Sequence, residues 1–212
     1  MTGWSGGRKV VAPGVAHHET IRTFHSARFM EDPLAVQCNL LGNPLHEEQL
    51  EIVRRLGDLY AVNTVIDDER DLAYVNFGEI IASHAAAVQF VDVAIRVPTP
   101  RKFKTVVTSS AGYPLDKTYY QTINGMVTPM DILEPGGSLI IASACSEGFG
   151  SEASVESHSI RPACRMKSGA LTGVETVANL DETIARSIAQ AEDPRVAVIL
   201  EGPYVVPYLH AG

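Results

Sequence analysis

The chain has 212 residues, of which 45% are hydrophobic and 20% are charged, and its formal net charge at pH 7 is −8. This length is enough for one large or two small α/β units with a buried core. The acidic balance argues against a nucleic-acid partner, because phosphate binding needs clustered lysine and arginine. No segment approaches the ~20 uninterrupted apolar residues of a membrane helix, and the N-terminus lacks the pattern of a secretory signal. We therefore expect a cytoplasmic protein with no membrane partner.

The cysteines exclude one class of stabilisation. Cys38, Cys145 and Cys164 are an odd, scattered set without a C-x-x-C pair. A disulfide framework and a thiolate zinc site both require paired spacings, which are missing here. We expect all three side chains to be reduced.

The first motif along the chain is a glycine turn followed by two cations, Ser5-Gly6-Gly7-Arg8-Lys9. Such a turn can hold an anion or tether a cofactor. His25 follows on a predicted short helix and has the side chain of a metal ligand. The residues alone leave a plainer interpretation open, in which Lys9 is a surface lysine and His25 is a hydrogen-bonded histidine at the edge of the core.

The middle of the chain predicts a helix, a hairpin and a second helix. Apolar residues at helical spacing predict the first helix from Glu47 to Gly57, with Gly57 as its stop. Strands from Tyr60 to Ile66 and from Leu72 to Phe77 flank an acidic turn and predict a hairpin. The second helix runs from Gly78 to Ile95 and ends before two prolines. We place a domain boundary at Thr99-Pro100, which divides the chain into residues 1–99 and 100–212.

The second half alternates strands with helices. Strands are predicted at 105–109, 138–144 and 196–200, and helices at 118–133 and 181–191. The strand at 138–144 is almost entirely apolar, as is typical of strands buried in a parallel sheet. The sequence therefore predicts an α/β fold of two units, the second with a mainly parallel sheet flanked by helices.

Two polar motifs directly follow predicted strands of this second unit. Ser109 to Asp116 follows the strand at 105–109, and Cys145 to Gly150 follows the strand at 138–144. Ligands of open α/β sheets gather beyond the carboxyl ends of the strands. The same residue types also form the ordinary turns of strand-to-helix connections, so both interpretations stay open.

Taken together, these motifs resemble the lactate racemase family of nickel-pincer enzymes. The resemblance runs in order through most of the chain and rests on Ser5-Gly6-Gly7-Arg8-Lys9, Pro13-Gly14, Glu19-Thr20-Ile21, His25, Gly112-Tyr113-Pro114-Leu115-Asp116, Tyr120-Gln121 and Glu147-Gly148-Phe149-Gly150. It implies an isomerase that racemises or epimerises a small 2-hydroxy acid by hydride transfer. The implied cofactor is a nickel-bearing, pyridinium-derived mononucleotide, joined covalently to a lysine and loaded by maturation proteins.

The resemblance also implies roles for individual residues. Lys9 matches the tethering lysine, with Arg8 and Gly7 beside it in the cofactor site, and an amine is a suitable nucleophile for such a link. His25 matches the protein ligand of nickel, for which a neutral imidazole is a usual donor. Tyr120 and Gln121 match residues of the substrate-facing helix and are the candidate catalytic side chains.

Two departures from the family pattern are visible. The proton-transferring histidines of the family precede the position that matches Met1, so the resemblance implies an N-terminally truncated copy of a longer enzyme. We expect His17 and His18 to be capping or surface residues instead. The substrate-facing helix also carries Asn124 where lactate racemase has a lysine, which favours a hydroxy acid other than lactate.

Two alternatives to a racemase remain at this point. The chain could be a non-catalytic remnant, or a cofactor-binding subunit whose missing half comes from another polypeptide. It could instead bind a phosphate with Ser5 to Lys9 as a simple anion loop. The second alternative is weaker, because the segment lacks the spacing of a P-loop or of a dinucleotide-binding turn.

Overall fold

A computed structural model of the chain describes residues 3–148, 174–175 and 177–210. The chain consists of two compact units, Met1–Ile95 and Arg96–Gly212. Three residues of the sequence predictions lie outside the described residues: Phe149, Gly150 and Cys164. Among the described residues, Cys38 and Cys145 form no disulfide.

The first unit begins with short helices around a small apolar core. Its first helices are α1 (Arg8–Val11), α2 (His18–Phe24), α3 (Ala27–Met30) and α4 (Pro44–Leu56). Their buried core consists of Ala12, Phe24, Phe29, Ala35 and Leu45. Helix α4 is well delimited, because the Asn43 side chain accepts hydrogen bonds from two backbone amides of its first turn. It ends at Gly57, the predicted stop, where φ is +91°.

A hairpin and a long helix complete the first unit. Strands β1 (Tyr60–Ile66) and β2 (Leu72–Glu79) pair antiparallel, which confirms the predicted hairpin. One face of the hairpin packs against α5 (Ile80–Ile95). The other face exposes a row of large apolar side chains: Tyr60, Val62, Ile66, Leu72, Val75 and Phe77.

The second unit is built on parallel strands, and its α/β architecture is the predicted one. Strand β4 (Phe103–Ser109) lies in the middle of a sheet, with β5 (Leu133–Ala142) and β6 (Val196–Ile199) on its two sides, and both pairs are parallel. A second parallel pair joins β3 (Arg96–Thr99) to β7 (Val206–Leu209). Helices α6 (Tyr119–Val127) and α7 (Leu180–Ala191) belong to the same unit. The core of the unit centres on Val106, Ile132 and Ile199.

The predicted helix over 118–133 is wrong at its C-terminal end. Helix α6 stops at Val127, and residues Thr128–Ile132 form a 3₁₀ turn. Pro129, at the start of that turn, has no backbone N–H to continue an α-helix. Strand β5 then starts at Leu133, earlier than predicted, and accommodates Gly136 at φ +77° beside an irregularity in its pairing with β4. An irregularity of this kind is tolerated because β5 is an edge strand.

Across the described ranges, no helix has both the length and the apolar character needed to cross a membrane.

Candidate functional site

The glycine turn before Lys9 adopts a conformation that requires glycine. Gly6 and Gly7 have φ values of +83° and +49°, in the region that L-residues with side chains avoid. A Cβ atom on Gly7 would lie 2.6 Å from the Cβ of His84, which is closer than atoms can pack. The same atom on Gly6 would meet only ordinary contacts of 3.5 Å or more. Position 7 therefore requires glycine for two reasons, the positive φ of its backbone and the close approach of His84 on α5.

Arg8 is a buried residue, with a relative exposure of 2%. Its Nη1 lies 3.2 Å from both ring nitrogens of His84. Burial lowers the pKa of Arg8 from 12.5 to about 10, because removing a charge from water disfavours the charged form. The Arg8 side chain is thus packed against His84 beneath the glycine turn.

Lys9 stands at the end of this turn with its amine over Ser5. The Lys9 Nζ donates to Ser5 Oγ at 3.3 Å, and the Lys9 backbone N–H donates to the Gly6 carbonyl. Burial lowers the pKa of Lys9, and the neighbouring charge of Arg8 lowers it further. A lowered pKa increases the fraction of neutral amine at pH 7, which is the nucleophilic form of lysine.

His25 is the residue directly after α2, so it lies at the C-terminal cap of that helix and not within it. Its Nδ1 donates to the Ile21 carbonyl at 2.7 Å. Because this bond makes Nδ1 the protonated nitrogen, Nε2 carries the lone pair that metal ligands use. The bond is also what a plain hydrogen-bonded histidine would form. At the other end of α2, His17 accepts from the Glu19 N–H, which confirms its predicted capping role.

In the second unit, the two polar motifs predicted at the carboxyl ends of strands lie against each other. The backbone N–H of Cys145 donates to the Asp116 carbonyl, and that of Glu147 donates to the Lys117 carbonyl, both at 2.8 Å. Lys117 and Glu147 also form an ion pair. The two loops beyond β4 and β5 therefore form one connected surface at the start of α6.

Helix α6 presents the candidate catalytic side chains on this surface. Tyr120 is 43% exposed, while the Thr118 hydroxyl accepts from the Gln121 N–H and donates to Gln121 Oε1, each at 3.2 Å. The Gln121 side chain, three residues into the helix, thus turns back to the hydroxyl of the cap residue, whereas in a capping box it would accept from the backbone N–H of that residue. Asn124 is exposed, one helical turn beyond Tyr120. One helical turn beyond Gln121, Gly125 lets the helix approach the Ser109 carbonyl closely.

Comparisons with known proteins match both units of the chain. Residues 1–37 match the model of the lactate racemase N-terminal domain, and residues 99–165 match the model of the lactate racemase C-terminal domain. The lactate racemase of Thermoanaerobacterium thermosaccharolyticum is 32% identical over 152 residues, which are 72% of this chain and 35% of that protein. The enzyme of Lactiplantibacillus plantarum is 31% identical over 152 residues, 72% of this chain and 36% of that protein. The chain belongs to the lactate racemase family.

A solved structure supports the same fold. The lactate racemase apoprotein from Thermoanaerobacterium thermosaccharolyticum matches with a TM-score of 0.68 at 24% identity, over 97% of this chain and 52% of that chain. The chain spans about a third of the length of the curated lactate racemases that it matches, 35% and 36%. Lys9 and His25 fall within the match to the lactate racemase N-terminal domain. Tyr120 and Gln121 fall within the match to the C-terminal domain.

Two residues of this lactate racemase relative are prominent in the structure but absent from the sequence predictions. His84 contacts the glycine turn, and its signal in the sequence is a polar Ser83-His84 pair in the first half of a mostly apolar helix. Thr118 caps α6, and its signal is the T-x-x-Q spacing from Thr118 to Gln121, a known helix-start pattern. His84 could not be assigned to the turn beforehand, because the two segments are 79 residues apart.

Proposed function

We propose that this chain is part of a lactate racemase-like isomerase that inverts the configuration of a 2-hydroxy acid. In this proposal, Lys9 tethers a nickel-bearing, pyridinium-derived mononucleotide and His25 is the protein ligand of the nickel ion. The observation that carries the proposal is the state of Lys9, a lysine of lowered pKa on a glycine turn within the region that matches the lactate racemase N-terminal domain.

The residues present fit such a cofactor. Gly6 and Gly7 carry no side chains that would block a group attached at Lys9. His25 has its proton on Nδ1, so the lone pair through which an imidazole binds a metal is on Nε2. Within the described ranges no three His, Cys, Asp or Glu side chains converge on one point. His25 would therefore bind a metal whose other ligands come from the cofactor. When bound, the cofactor supplies the hydride acceptor, which no protein side chain can supply.

The side chains of α6 would contribute the substrate contacts. The Tyr120 hydroxyl and the Gln121 amide can donate hydrogen bonds to the carboxylate or the hydroxyl of a 2-hydroxy acid. Gln121 must first leave Thr118, to which its side chain is bonded. Asn124 offers a neutral donor in place of a charged one, a difference worth roughly 1.5–3 kcal/mol for a bound carboxylate. We therefore propose a hydroxy acid other than lactate, such as a larger, sugar-derived one.

The proposal for the cofactor is tested by loading. The chain would be produced together with nickel-pincer maturation proteins, then digested and examined by mass spectrometry for a covalent adduct on Lys9. We expect an adduct and bound nickel in the natural chain, no adduct in Lys9→Arg, and an adduct with reduced nickel in His25→Ala. An adduct-free Lys9 under conditions that load a known lactate racemase would overturn the tethering role.

A second candidate function is a cofactor-binding subunit or remnant without the family's proton-transferring histidines. It is favoured because two of the described histidines have structural roles instead of facing a substrate: His17 caps a helix, and His84 is buried beneath the turn. The test mixes the loaded chain with a polypeptide that carries the rest of the family's N-terminal domain. Racemisation of a panel of 2-hydroxy acids only in the mixture supports the cofactor-binding subunit, whereas racemisation by the loaded chain alone excludes both the subunit and the remnant. Lactate as the best substrate in either case would overturn the substrate proposal.

A further inference from the structure

The ring of His84 contacts four consecutive residues of the turn that carries Lys9. Its Nε2 is 2.7 Å from the Ser5 carbonyl oxygen. A Cβ atom added to Gly6 would lie 3.5 Å from the ring carbon Cδ2, and one added to Gly7 would lie only 2.8 Å from it, so the ring packs against the backbone of both glycines. Its Nδ1 is 3.2 Å from Arg8 Nη1. His84 itself is buried, with 4% exposure, on the first half of α5.

The partners of the ring assign its protonation. The Ser5 carbonyl can only accept, so Nε2 carries the proton and donates to it. The Arg8 guanidinium can only donate, so Nδ1 is the acceptor. A second ring proton would face the arginine charge. Burial lowers the pKa of His84, the bond to Ser5 raises it, and the charge of Arg8 lowers it. The neutral imidazole therefore connects Ser5 to Arg8 at neutral pH.

A network of hydrogen bonds between the hairpin and α5 sets the position of the His84 ring. The Asn63 amide donates to Ser83 Oγ and to Asn76 Oδ1, each at 3.1 Å. The Asn76 amide in turn donates to the Ser83 carbonyl at 2.8 Å. Ser83 precedes His84, so the hairpin β1–β2 holds the segment of α5 that places the ring. On α4, the charge of His84 is one of the causes that lower the pKa of His46.

The Lys9 amine depends on the same turn. Lys9 Nζ rests on the hydroxyl of Ser5, whose carbonyl is the acceptor for His84. We propose that His84 is a positioning residue for Lys9, because its neutral ring holds Ser5 to Arg8 in the conformation that presents the lysine amine for attachment. The proposal rests on the proposed function of Lys9 as the tether, but it concerns a property of the bare chain.

The test measures the reactivity of the Lys9 amine without any cofactor. The full chain is labelled with acetic anhydride at a series of pH values, and the acetylation rate at each lysine is read by mass spectrometry. Exposed Lys104 serves as the internal comparison. We expect Lys9 to reach its half-maximal rate below pH 10.5, the ordinary lysine value. In His84→Leu, which loses both hydrogen bonds, we expect that midpoint to rise, with about a tenfold slower rate at pH 7 for each unit of rise.

Two further variants separate positioning from folding. His84→Gln has an amide that can both donate to Ser5 and accept from Arg8, so we expect the Lys9 midpoint of the natural chain. Gln89→Leu makes a similar polar-to-apolar change on an exposed position of α5, and it should leave the midpoint unchanged. If His84→Leu fails to fold by Trp4 fluorescence, His84→Asn, whose shorter amide cannot reach both partners, takes its place under the same criterion.

The outcomes are distinct from those of the loading experiment. An unchanged Lys9 midpoint in the folded His84→Leu or His84→Asn variant would overturn the positioning role. A rise in His84→Gln as large as in His84→Leu would overturn it as well, since the hydrogen bonds would then be irrelevant. A chain that shows the expected midpoints but never acquires an adduct at Lys9 would retain the positioning role and lose the proposed tether.

Discussion

The turn that carries Lys9 and the helix that carries Tyr120 are built in different ways. The turn has two glycines at positive φ, a buried arginine and a buried histidine beneath it. The surface of α6 instead presents half-buried and exposed side chains, and a single threonine caps the helix. A geometry that is fixed from several sides suits a permanent covalent attachment. A solvent-facing helix surface can change its side chains without affecting the fold, which suits a substrate contact that differs between relatives.

The largest effect should come from filling the space between the turn and His84. We expect Gly7→Ala to reduce the free energy of unfolding by about 2–5 kcal/mol, the sum of a left-handed backbone penalty of roughly 1–2 kcal/mol and overpacking of roughly 1–3 kcal/mol. The matched control is Gly6→Ala, which has a positive φ but only ordinary van der Waals contacts around the added methyl. It should cost only about 1–2 kcal/mol.

Urea unfolding followed by the fluorescence of Trp4, the single tryptophan of the chain, measures both variants. Equal losses for Gly6→Ala and Gly7→Ala would mean that the contact between Gly7 and His84 is not tight. The turn would then be no more constrained than an ordinary glycine loop.

Acid should weaken the first unit next most strongly. His46 on α4 has its pKa lowered from 6.5 to about 4, by burial first and then by the charges of Arg8, His84 and Arg54. Between pH 6.5 and about 4, His46 is therefore protonated in the unfolded chain but not in the folded chain. The folded state is destabilised as the pH falls through this range, and above pH 6.5 the effect is absent. The loss reaches at most about 3–4 kcal/mol, because the pKa of His46 falls by about 2.5 and each pKa unit corresponds to 1.36 kcal/mol.

The Trp4 signal again reports this change, in urea titrations at pH 7, 6, 5 and 4. His46→Gln is neutral in both states and should flatten most of the slope, with the remainder from His84, whose pKa is shifted in the same direction. A slope of the natural size in His46→Gln would contradict this assignment.

A smaller effect is expected at the start of α6. Thr118→Ala removes the hydroxyl that accepts from the Gln121 N–H, and losing such a cap costs about 1 kcal/mol. For a chain of this size, this is a decrease of about 2–4 °C in the melting temperature. Thr118→Ser keeps the hydroxyl and should keep the melting temperature within about 1 °C, so equal losses in the two variants would argue against the cap.

Much of the element order follows from local chemistry. The hairpin is encoded by apolar strands around an acidic turn, and α4 by its periodicity and by Gly57. The predicted end of α6 is wrong because Pro129 supports a 3₁₀ turn. The predicted start of β5 is wrong because Gly136 and Gly137, a residue pair typical of turns, lie within this edge strand. Composition alone does not distinguish a bulged edge strand from a loop.

The polar interior of the first unit could not be predicted. Along β1, apolar residues alternate at Tyr60, Val62 and Ile66, a pattern that favours burial of this face. The structure exposes those side chains and buries Asn63. The reason lies in the partners of Asn63, which are Asn76 and Ser83. Hydrogen bonds between distant segments make this burial possible, and a single sequence shows no sign of them. The role of His84 was hidden for the same reason.

The smallest effect on folding should come from the surface of α6, for which we propose substrate contacts. Asn124 is exposed on α6, so Asn124→Lys should change the free energy of unfolding by less than about 0.5 kcal/mol. Its effect on binding should be much larger in the loaded, active assembly. A lysine there restores a charge-assisted bond to a carboxylate, which is worth about 1.5–3 kcal/mol. The KM for lactate should therefore fall by roughly 10- to 150-fold. Steady-state kinetics with lactate, beside Asn124→Gln as a neutral control, separates charge from length. A KM for lactate that is the same with lysine and glutamine would mean that this position does not face the carboxylate, and α6 would then lose its assignment as the variable side of the site.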